Sequence, residues 1–229
     1  MLQASPIPRE SIPDHVFDRL RRAILEGVYR PGERLPSQRA LAADLEVNMA
    51  SVREALGRLE QLRLVEVRHG SPTRVLDWRR SGGLDALLLA AGAGGEKLLR
   101  DLFEVRRLLL VEAGRLAAAR RAPEQAEELT RLAHAVELAG DVRAALLVDW
   151  SFMATLVEAA ENLVMQMTMN SVRELYLPQA DAFAGLVSQP RELAPLYGGV
   201  AAAVAARDAD AAAGAVERLV AMQEELLIR

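Results

Sequence analysis

Hydrophobic residues recur at helical spacing in three short stretches near the amino end of the chain. They predict a first helix that Ser11 with Pro13 can start and whose apolar spacing runs from His15 to Glu26. A second helix is predicted to start after Ser37 and a third after Asn48. Ser and Asn accept hydrogen bonds from the free amides of a first helical turn, so both residues suit the N-cap position. The predicted inner faces carry Val16, Leu20, Ala23 and Ile24, then Leu41 and Leu45, then Val52, Ala55, Leu56 and Leu59.

The period of the pattern changes from helical to alternating after the third helix. Residues 65–67 and 73–75 alternate apolar with polar side chains, which predicts two short strands. His69 and Gly70 lie between them and suit the tip of a hairpin. Helices joined by a tight turn and followed by such a ribbon follow the plan of a winged helix-turn-helix, which places a helix end and a hairpin tip on duplex DNA. The pattern therefore predicts double-stranded DNA as a partner.

Beyond Trp78 the pattern predicts only helices. Glycine-rich segments flank a short apolar stretch, Leu84 to Ala91, and predict a linker over residues 79–95 that contains one small helix. Pro178 should kink or split the fourth of the helices that follow. We expect a mainly α fold: a winged helix-turn-helix in residues 1–78, the linker, and an all-helical effector-binding and dimerisation domain in 96–229. The predicted helices of that domain cover about 96–120, 123–139, 142–160, 161–187, 190–206 and 208–227.

Composition narrows the class of protein. The chain has no cysteine, and no apolar run approaches the roughly 20 residues of a membrane span, so we expect a cytoplasmic protein without membrane contact. No nucleophile elbow, phosphate loop, HExxH motif or paired-carboxylate arrangement is present, and we expect no enzyme. Net charge is −4, but residues 1–80 carry +3 and the remainder −7. Positive charge therefore concentrates in the half that would meet the DNA backbone.

The start of the third helix supplies the candidate DNA contacts. In a helix-turn-helix this end enters the major groove. Arg39 on the preceding helix can reach the same groove, and the His69-Gly70 tip suits the minor groove. A winged helix used only for protein contacts is the alternative. The candidate contacts are Arg39, Asn48, Met49, Ser51, Arg53, His69 and Gly70.

The front of the chain resembles the GntR family of bacterial transcription regulators over about residues 12–76. The resemblance is carried by Pro31-Gly32, Leu35-Pro36-Ser37, Arg39, Leu41-Ala42 and Val52-Arg53-Glu54-Ala55-Leu56. It implies sequence-specific DNA binding and transcription regulation. In that family the residue after the recognition-helix cap is usually an arginine that reads guanine. Here it is Met49, and Ala50 replaces a usual threonine, so the family's operator preference does not carry over.

Two charged residues stand on apolar stripes of the predicted bundle. Arg106 shares a face with Leu102, Leu109 and Ala113, and Asp149 shares one with Phe152, Met153 and other apolar residues. A buried charge must be paired or hydrogen-bonded. Three interpretations stay open. The two residues or their neighbours pair inside the bundle, Arg106 faces a cavity and binds an anionic effector, or the assumed helix register is wrong.

The helical part resembles the FadR-type branch of the family. Phe103 to Arg107, Glu112-Ala113, Asp149 to Met153 and Asn162 carry this resemblance. Many members bind a metal through that Asp and three His. Here the three positions correspond to Met153, Tyr197 and Leu219, and a lone Asp does not hold a divalent cation tightly. We expect no metal and no cofactor, and His134 is expected to be a solvated helix residue.

Two segments are similar to the fatty-acid-responsive members of that branch, His69 to Leu87 and Ala159 to Tyr176. This similarity implies release from DNA by a long-chain acyl-CoA or related acyl effector. We expect a homodimer that binds a palindromic operator, as two-fold helix-turn-helix regulators do. A small organic carboxylate held by Arg106 without a metal is the alternative. The methionine-rich lining (Met153, Met165, Met167 and Met169, with Leu156) suits an acyl chain or is plain core. The candidate effector contacts are Arg106, Asp149, Met153, Tyr176 and Tyr197.

Overall fold

The computed structural model describes residues 11–68, 71–91 and 95–228, the side chains of 87–89, 91, 95, 96, 99, 174–180 and 228 excepted. The chain divides into two compact units between Leu98 and Leu99. The described residues form helices and one small antiparallel sheet. The expected mainly α fold, with a winged helix-turn-helix ahead of a helical domain, is confirmed.

Three helices form the body of the first unit: α1 (Ile12–Leu25), α2 (Gln38–Asp44) and α3 (Met49–Gln61). Helix α1 begins directly after Ser11, as predicted, and the Ser11 amide and hydroxyl donate to the Asp14 carboxylate at 2.9 and 2.7 Å. The two predicted N-caps are confirmed. Ser37 Oγ accepts the Ala40 amide at 3.1 Å, and Asn48 Oδ1 accepts the Ser51 amide at 2.8 Å.

The apolar stripes of these helices meet in one core. Arg58 of α3 covers its edge, donating to Asp14 of α1 at 2.6 Å while its guanidinium lies 4.1 Å from the centre of the Phe17 ring. This contact joins α1 to α3 on the outside of the apolar interface. The buried core residues are Val16, Phe17, Leu20, Ile24, Leu35, Leu41, Ala42, Val52, Ala55, Leu56, Leu59, Leu64, Val65, Val75 and Ala86.

The sheet pairs β1 (Val65–Glu66) with β2 (Arg74–Val75), and Glu66 lies opposite Arg74. On the other side of β2, Arg34 forms an antiparallel bridge with Arg74. The inner side chains of these segments are buried in the core, and the outer ones face solvent. Two further helices, α4 (Trp78–Ser81) and α5 (Leu84–Ala91), follow the sheet. The core of the first unit includes Ala86 of α5.

The second unit is a bundle of helices. Its elements are α6 (Gly95–Arg120), α7 (Pro123–Glu137), α8 (Val142–Ala159), α9 (Leu163–Tyr176), a 3₁₀ segment (Leu177–Val187), α10 (Pro190–Ala205) and α11 (Ala209–Ile228). Helix α10 packs between α7 and α11, and the 3₁₀ segment lies against α8 and α11. The segment expected to be helical over 161–187 changes from α to 3₁₀ geometry one residue before Pro178, as a residue that lacks an amide hydrogen requires.

Helices α6 and α11 approach each other closely at Gly114. A β-carbon at this position would lie 2.7 Å from Val216 Cγ2, closer than side chains pack. The missing side chain therefore allows the two helices to pack closely at this point. In the described part of the chain, no helix combines the length and apolar character needed to span a membrane.

Candidate functional site

The first candidate site is the exposed edge formed by α2 and the start of α3. Arg39 is exposed on α2, and Asn48 is exposed at the α3 cap. The Asn48 oxygen is occupied by the cap, so its two amide hydrogens remain as donors toward solvent. Arg53 is exposed on the next turn, and its Nε donates to Gln38 Oε1 at 3.3 Å. Gln38 therefore orients one of the basic side chains of this edge.

The first turn of α3 presents apolar side chains to solvent. Met49 is 39% exposed, and Ala50 is exposed beside it. Ser51, another expected DNA contact, is only 5% exposed. It belongs to the buried face of α3 that continues into Val52 and Ala55. His69 and Gly70 lie outside the described residues.

The outer face of the sheet is basic. Arg34 and Arg74 are both exposed and directly opposed. The Leu35 amide donates to the Thr73 carbonyl and the Val75 amide to the Glu33 carbonyl, each at 2.9 Å, which makes Arg34 and Arg74 a non-hydrogen-bonded pair. Side chains lie closest in such a pair. The neighbouring Glu66 is engaged by Arg68 at 2.8 Å.

The second candidate site is a polar network inside the helical bundle. Asp149 of α8 is 2% exposed. Its Oδ1 accepts the Tyr197 hydroxyl at 2.6 Å and Gln223 Nε2 at 2.8 Å, and the same Nε2 lies 2.8 Å from the Tyr197 oxygen. On its other side, Gln223 Oε1 accepts Arg106 Nη2 at 2.7 Å. Side chains from α6, α8, α10 and α11 thus form one continuous chain of hydrogen bonds.

The Gln223 amide lies between two groups of opposite charge and forms a hydrogen bond with each of them. Its NH₂ group faces the Asp149 carboxylate, and its carbonyl faces the Arg106 guanidinium. Each end of the amide dipole therefore meets the charge that it stabilises, and hydrogen bonds of this kind reinforce one another in a low-dielectric interior. The interpretation in which Arg106 and Asp149 are joined inside the bundle agrees with this geometry, although through a third residue. Among the described residues, no carboxylate contacts the half-buried Arg106 directly.

The other candidate effector residues differ in their relation to this network. Tyr197 is fully buried in the network, with its ring edge-on to Phe152 at 4.9 Å between centroids. Met153 is 2% exposed and belongs to the core, one turn after Asp149. Tyr176 is the last residue of α9, and its side chain lies outside the described part.

The proposed apolar lining divides into core and surface. Leu156 is fully buried, whereas Met165 and Met169 are partly buried and pack against the core. Met167 is 60% exposed. Only part of this set could therefore line a cavity inside the bundle.

Gln223 is the member of the network that the sequence analysis missed. It lies four residues after Leu219 and three before Leu226, both of which are buried. A polar residue on an apolar helical stripe is the signal that identified Arg106 and Asp149. The same rule, applied to α11, would have identified Gln223.

The residues around Asp149 do not fit a divalent metal. The positions expected to hold histidine carry Met153, Tyr197 and Leu219, and Asp149 already accepts two hydrogen bonds. A single carboxylate with a phenol and an amide is a poor donor set for zinc or its neighbours. No group of three or more His, Cys, Asp or Glu side chains in the described ranges could hold a metal ion. His134 is exposed on α7, as expected for a solvated residue.

Comparison with known families matches both units. Residues 13–75 match the family described as "Bacterial regulatory proteins, gntR family", and residues 101–222 match the FCD domain. The first match covers α1 to β2. The second match contains Arg106, Asp149 and Tyr197 and ends one residue before Gln223.

Individual proteins extend the match to nearly the whole chain. The transcriptional regulator Mce2R of Mycobacterium tuberculosis is 33% identical over 226 residues, which is 97% of this chain and 94% of that protein. The "Fatty acid metabolism regulator protein" of Shewanella frigidimarina is 29% identical over 157 residues, covering 68% of this chain and 65% of that protein. The solved structure of a GntR protein from Streptococcus agalactiae superposes with a TM-score of 0.52 at 26% identity, covering 93% and 99% of the two chains. The chain therefore belongs to the GntR family of bacterial transcription regulators, in its FadR-type branch with a C-terminal FCD domain.

Proposed function

We propose that this regulator binds a palindromic operator as a homodimer and is released by an acidic acyl effector, a fatty acyl-CoA or a related compound. The N-terminal end of α3 enters the major groove and brings Asn48, Met49 and Arg53 to the bases. Arg39 lies beside them, and Arg34 and Arg74 face the phosphate backbone. The two copies present their heads to half-sites about one helical turn apart.

The Arg106–Gln223 hydrogen bond is the observation that carries the effector proposal. The half-buried guanidinium of Arg106 donates to the neutral amide of Gln223. The nearest opposite charge in the network, the Asp149 carboxylate, lies on the far side of that amide. An acidic group brought by an effector would form a stronger, charge-assisted bond to Arg106. Such a ligand therefore competes well for this side chain without a cofactor or a metal.

Displacement of Gln223 provides the coupling to DNA binding. Gln223 belongs to α11, and its amide also holds Asp149 of α8 and Tyr197 of α10. An effector that draws Arg106 away removes one link between α6 and α11. A change in this four-helix arrangement alters the populations of the DNA-bound and released forms, as ligand gating requires.

The acyl part rests on similarity and on apolar surroundings. The Shewanella relative is described as a fatty acid metabolism regulator. The partly buried Met165 and Met169 on α9 pack against the same core as Tyr197. Methionine adapts its shape to flexible apolar ligands.

Binding of a labelled operator, selected from a random duplex pool, tests the proposal. Titration with palmitoyl-CoA should release the DNA, and Arg106→Gln should weaken that release at least about tenfold, the cost of one charge-assisted contact. Arg107→Gln, an exposed neighbour on α6, is the matched control and should respond like the parent. Unchanged operator affinity at saturating palmitoyl-CoA would refute the acyl effector and leave DNA binding intact.

A small organic carboxylate is the second candidate effector. The burial of Met153 and Leu156 in the core favours a compact ligand at the same network. A thermal-shift screen of organic acids and acyl-CoA esters separates the two, because only a ligand that binds the folded protein raises its Tm. Stabilisation by an acid alone, absent in Arg106→Gln, would select this alternative.

A further inference from the structure

The leading turn of α3 presents methyl groups where a DNA-reading helix presents its contacts. Met49 is the first residue of the helix, and Ala50 follows it, both exposed. The oxygen of the neighbouring Asn48 is already bonded to the Ser51 amide, and Ser51 itself is buried. The polar groups of this turn are therefore partly used for the helix, and its most prominent free surface is apolar.

Only one base edge in the major groove has an apolar group to match. Thymine carries a C5-methyl, whereas guanine, adenine and cytosine present donors and acceptors. Met49 has no hydrogen to donate to guanine, and placing it against the polar edge of a G·C pair would leave that edge without its water. We propose that Met49 reads the C5-methyl of one thymine in each operator half-site. This inference rests on the proposed placement of α3 in the major groove.

The basic residues of the same edge define the surroundings of that thymine. Arg53 lies one helical turn after Met49 and is oriented by Gln38. Arg39 is exposed on the preceding helix. Guanidinium groups prefer guanine edges and phosphates. The half-site is therefore expected to place a methyl-bearing base beside positions read by arginine.

Replacement of thymine by deoxyuridine removes only this methyl group. The full-length protein is used to select operators from a random duplex pool, and each thymine of the selected duplex is then replaced in turn by deoxyuridine. One thymine in each half-site should be sensitive, with a loss of affinity of about fourfold, the factor expected for one buried methyl-sized group. Met49→Ala should bind the thymine duplex more weakly and should not distinguish it from the deoxyuridine duplex.

Two further variants sharpen the assignment. Met49→Leu keeps an apolar side chain and should retain sensitivity to the methyl. Met49→Arg should shift the preferred base at the same position from thymine to guanine in a repeated selection, because Arg donates two bonds to a guanine edge. Val28→Ala, at an apolar position of the same unit that is 67% exposed, is the matched control and should behave like the parent.

Three results overturn the inference. If no thymine is sensitive to deoxyuridine while Arg53→Ala weakens binding, α3 lies in the groove but Met49 does not read a methyl. If the sensitivity persists in Met49→Ala, another residue reads it. If no duplex is retained by the protein at low salt, both this inference and the proposed placement of α3 fall.

Discussion

The two candidate sites of this protein use polar side chains in opposite ways. At the edge of the first unit, Arg39 and Arg53 are exposed, and Arg53 is held by one 3.3 Å hydrogen bond to Gln38. In the second unit, Asp149 and Tyr197 are buried and joined through Gln223 by bonds of 2.6 to 2.8 Å. The exposed arginines of the first unit remain available to a partner, whereas the buried side chains of the second unit form hydrogen bonds with one another.

This difference indicates how each site meets its ligand. A DNA-facing arginine exchanges water for phosphate or base contacts at little cost to the fold. A buried network must be broken before a ligand can join it, because each orphaned polar group costs free energy. We infer that DNA binds to side chains of the first unit that are already exposed. In the second unit, a ligand must compete with the hydrogen bonds of the network, so only there can binding be coupled to a change in structure.

The largest effect is expected from breaking the network at its centre. Gln223→Ala leaves the Asp149 carboxylate with one donor and Arg106 without its acceptor, and should lower the free energy of unfolding by about 3 kcal/mol. Urea denaturation followed by circular dichroism measures this loss. Gln166→Ala, at an exposed position of α9, is the control. Equal stability of the two variants would show that the network contributes little to the fold.

The next effect concerns an exposed contact and should leave the fold intact. Arg53→Ala should cost about 1–3 kcal/mol of operator affinity, and it should relax the base preference at one position. Fluorescence anisotropy with the selected duplex measures the change, and Arg22→Ala on α1 serves as an exposed control. Parent-like binding by Arg53→Ala would place α3 outside the groove.

A smaller effect is expected on the outer face of the sheet, where binding and stability should change in opposite directions. Arg34→Gln or Arg74→Gln should each reduce the slope of log affinity against log salt by about 1, as for a lost phosphate contact. Each should leave Tm unchanged or slightly higher, since opposed like charges are relieved. Arg19→Gln, exposed on α1, is the comparison. An unchanged salt slope would exclude this face from the interface.

The smallest effect is a pH dependence within the first unit. Hydrogen bonds from the Ser11 side chain and then from Arg58 lower the pKa of Asp14 to about 2. The folded pKa therefore lies below the unfolded value near 3.9, so the stabilisation is complete above about pH 4 and disappears as the pH falls toward 2. Asp14→Asn should lower Tm at pH 7, and the difference should vanish near pH 2. A difference that stays constant across this range, in contrast to the Asp44→Asn control, would contradict the assignment.

Local chemistry made most of the fold predictable. Ser37 and Asn48 cap their helices as expected, because short polar side chains compete well for free amides. Pro178 interrupts the long fourth segment of the bundle for an equally local reason. Ser11, expected with Pro13 to start the first helix, is the N-cap residue of α1.

The sites were less predictable, since they depend on which side chains meet. Periodicity placed Arg106 and Asp149 on inner faces, but it could not show that Gln223 lies between them, 74 residues after Asp149 and 117 after Arg106. Ser51 was expected at the DNA edge because of its hydroxyl, yet it is only 5% exposed and shares the buried face of α3. Helical phase, more than residue type, determined that outcome.

At the start of α3, the residues that cap the helix differ from those that face solvent, and this separation has an evolutionary consequence. The hydrogen bond between Asn48 and the Ser51 amide caps the helix, whereas Met49 and Ala50 are not part of the buried core. If Met49 reads a base as proposed, a single substitution at position 49 would retarget the regulator to new operators without a penalty in folding. Duplicated copies of the gene would be free to diverge in their targets while they keep the same scaffold.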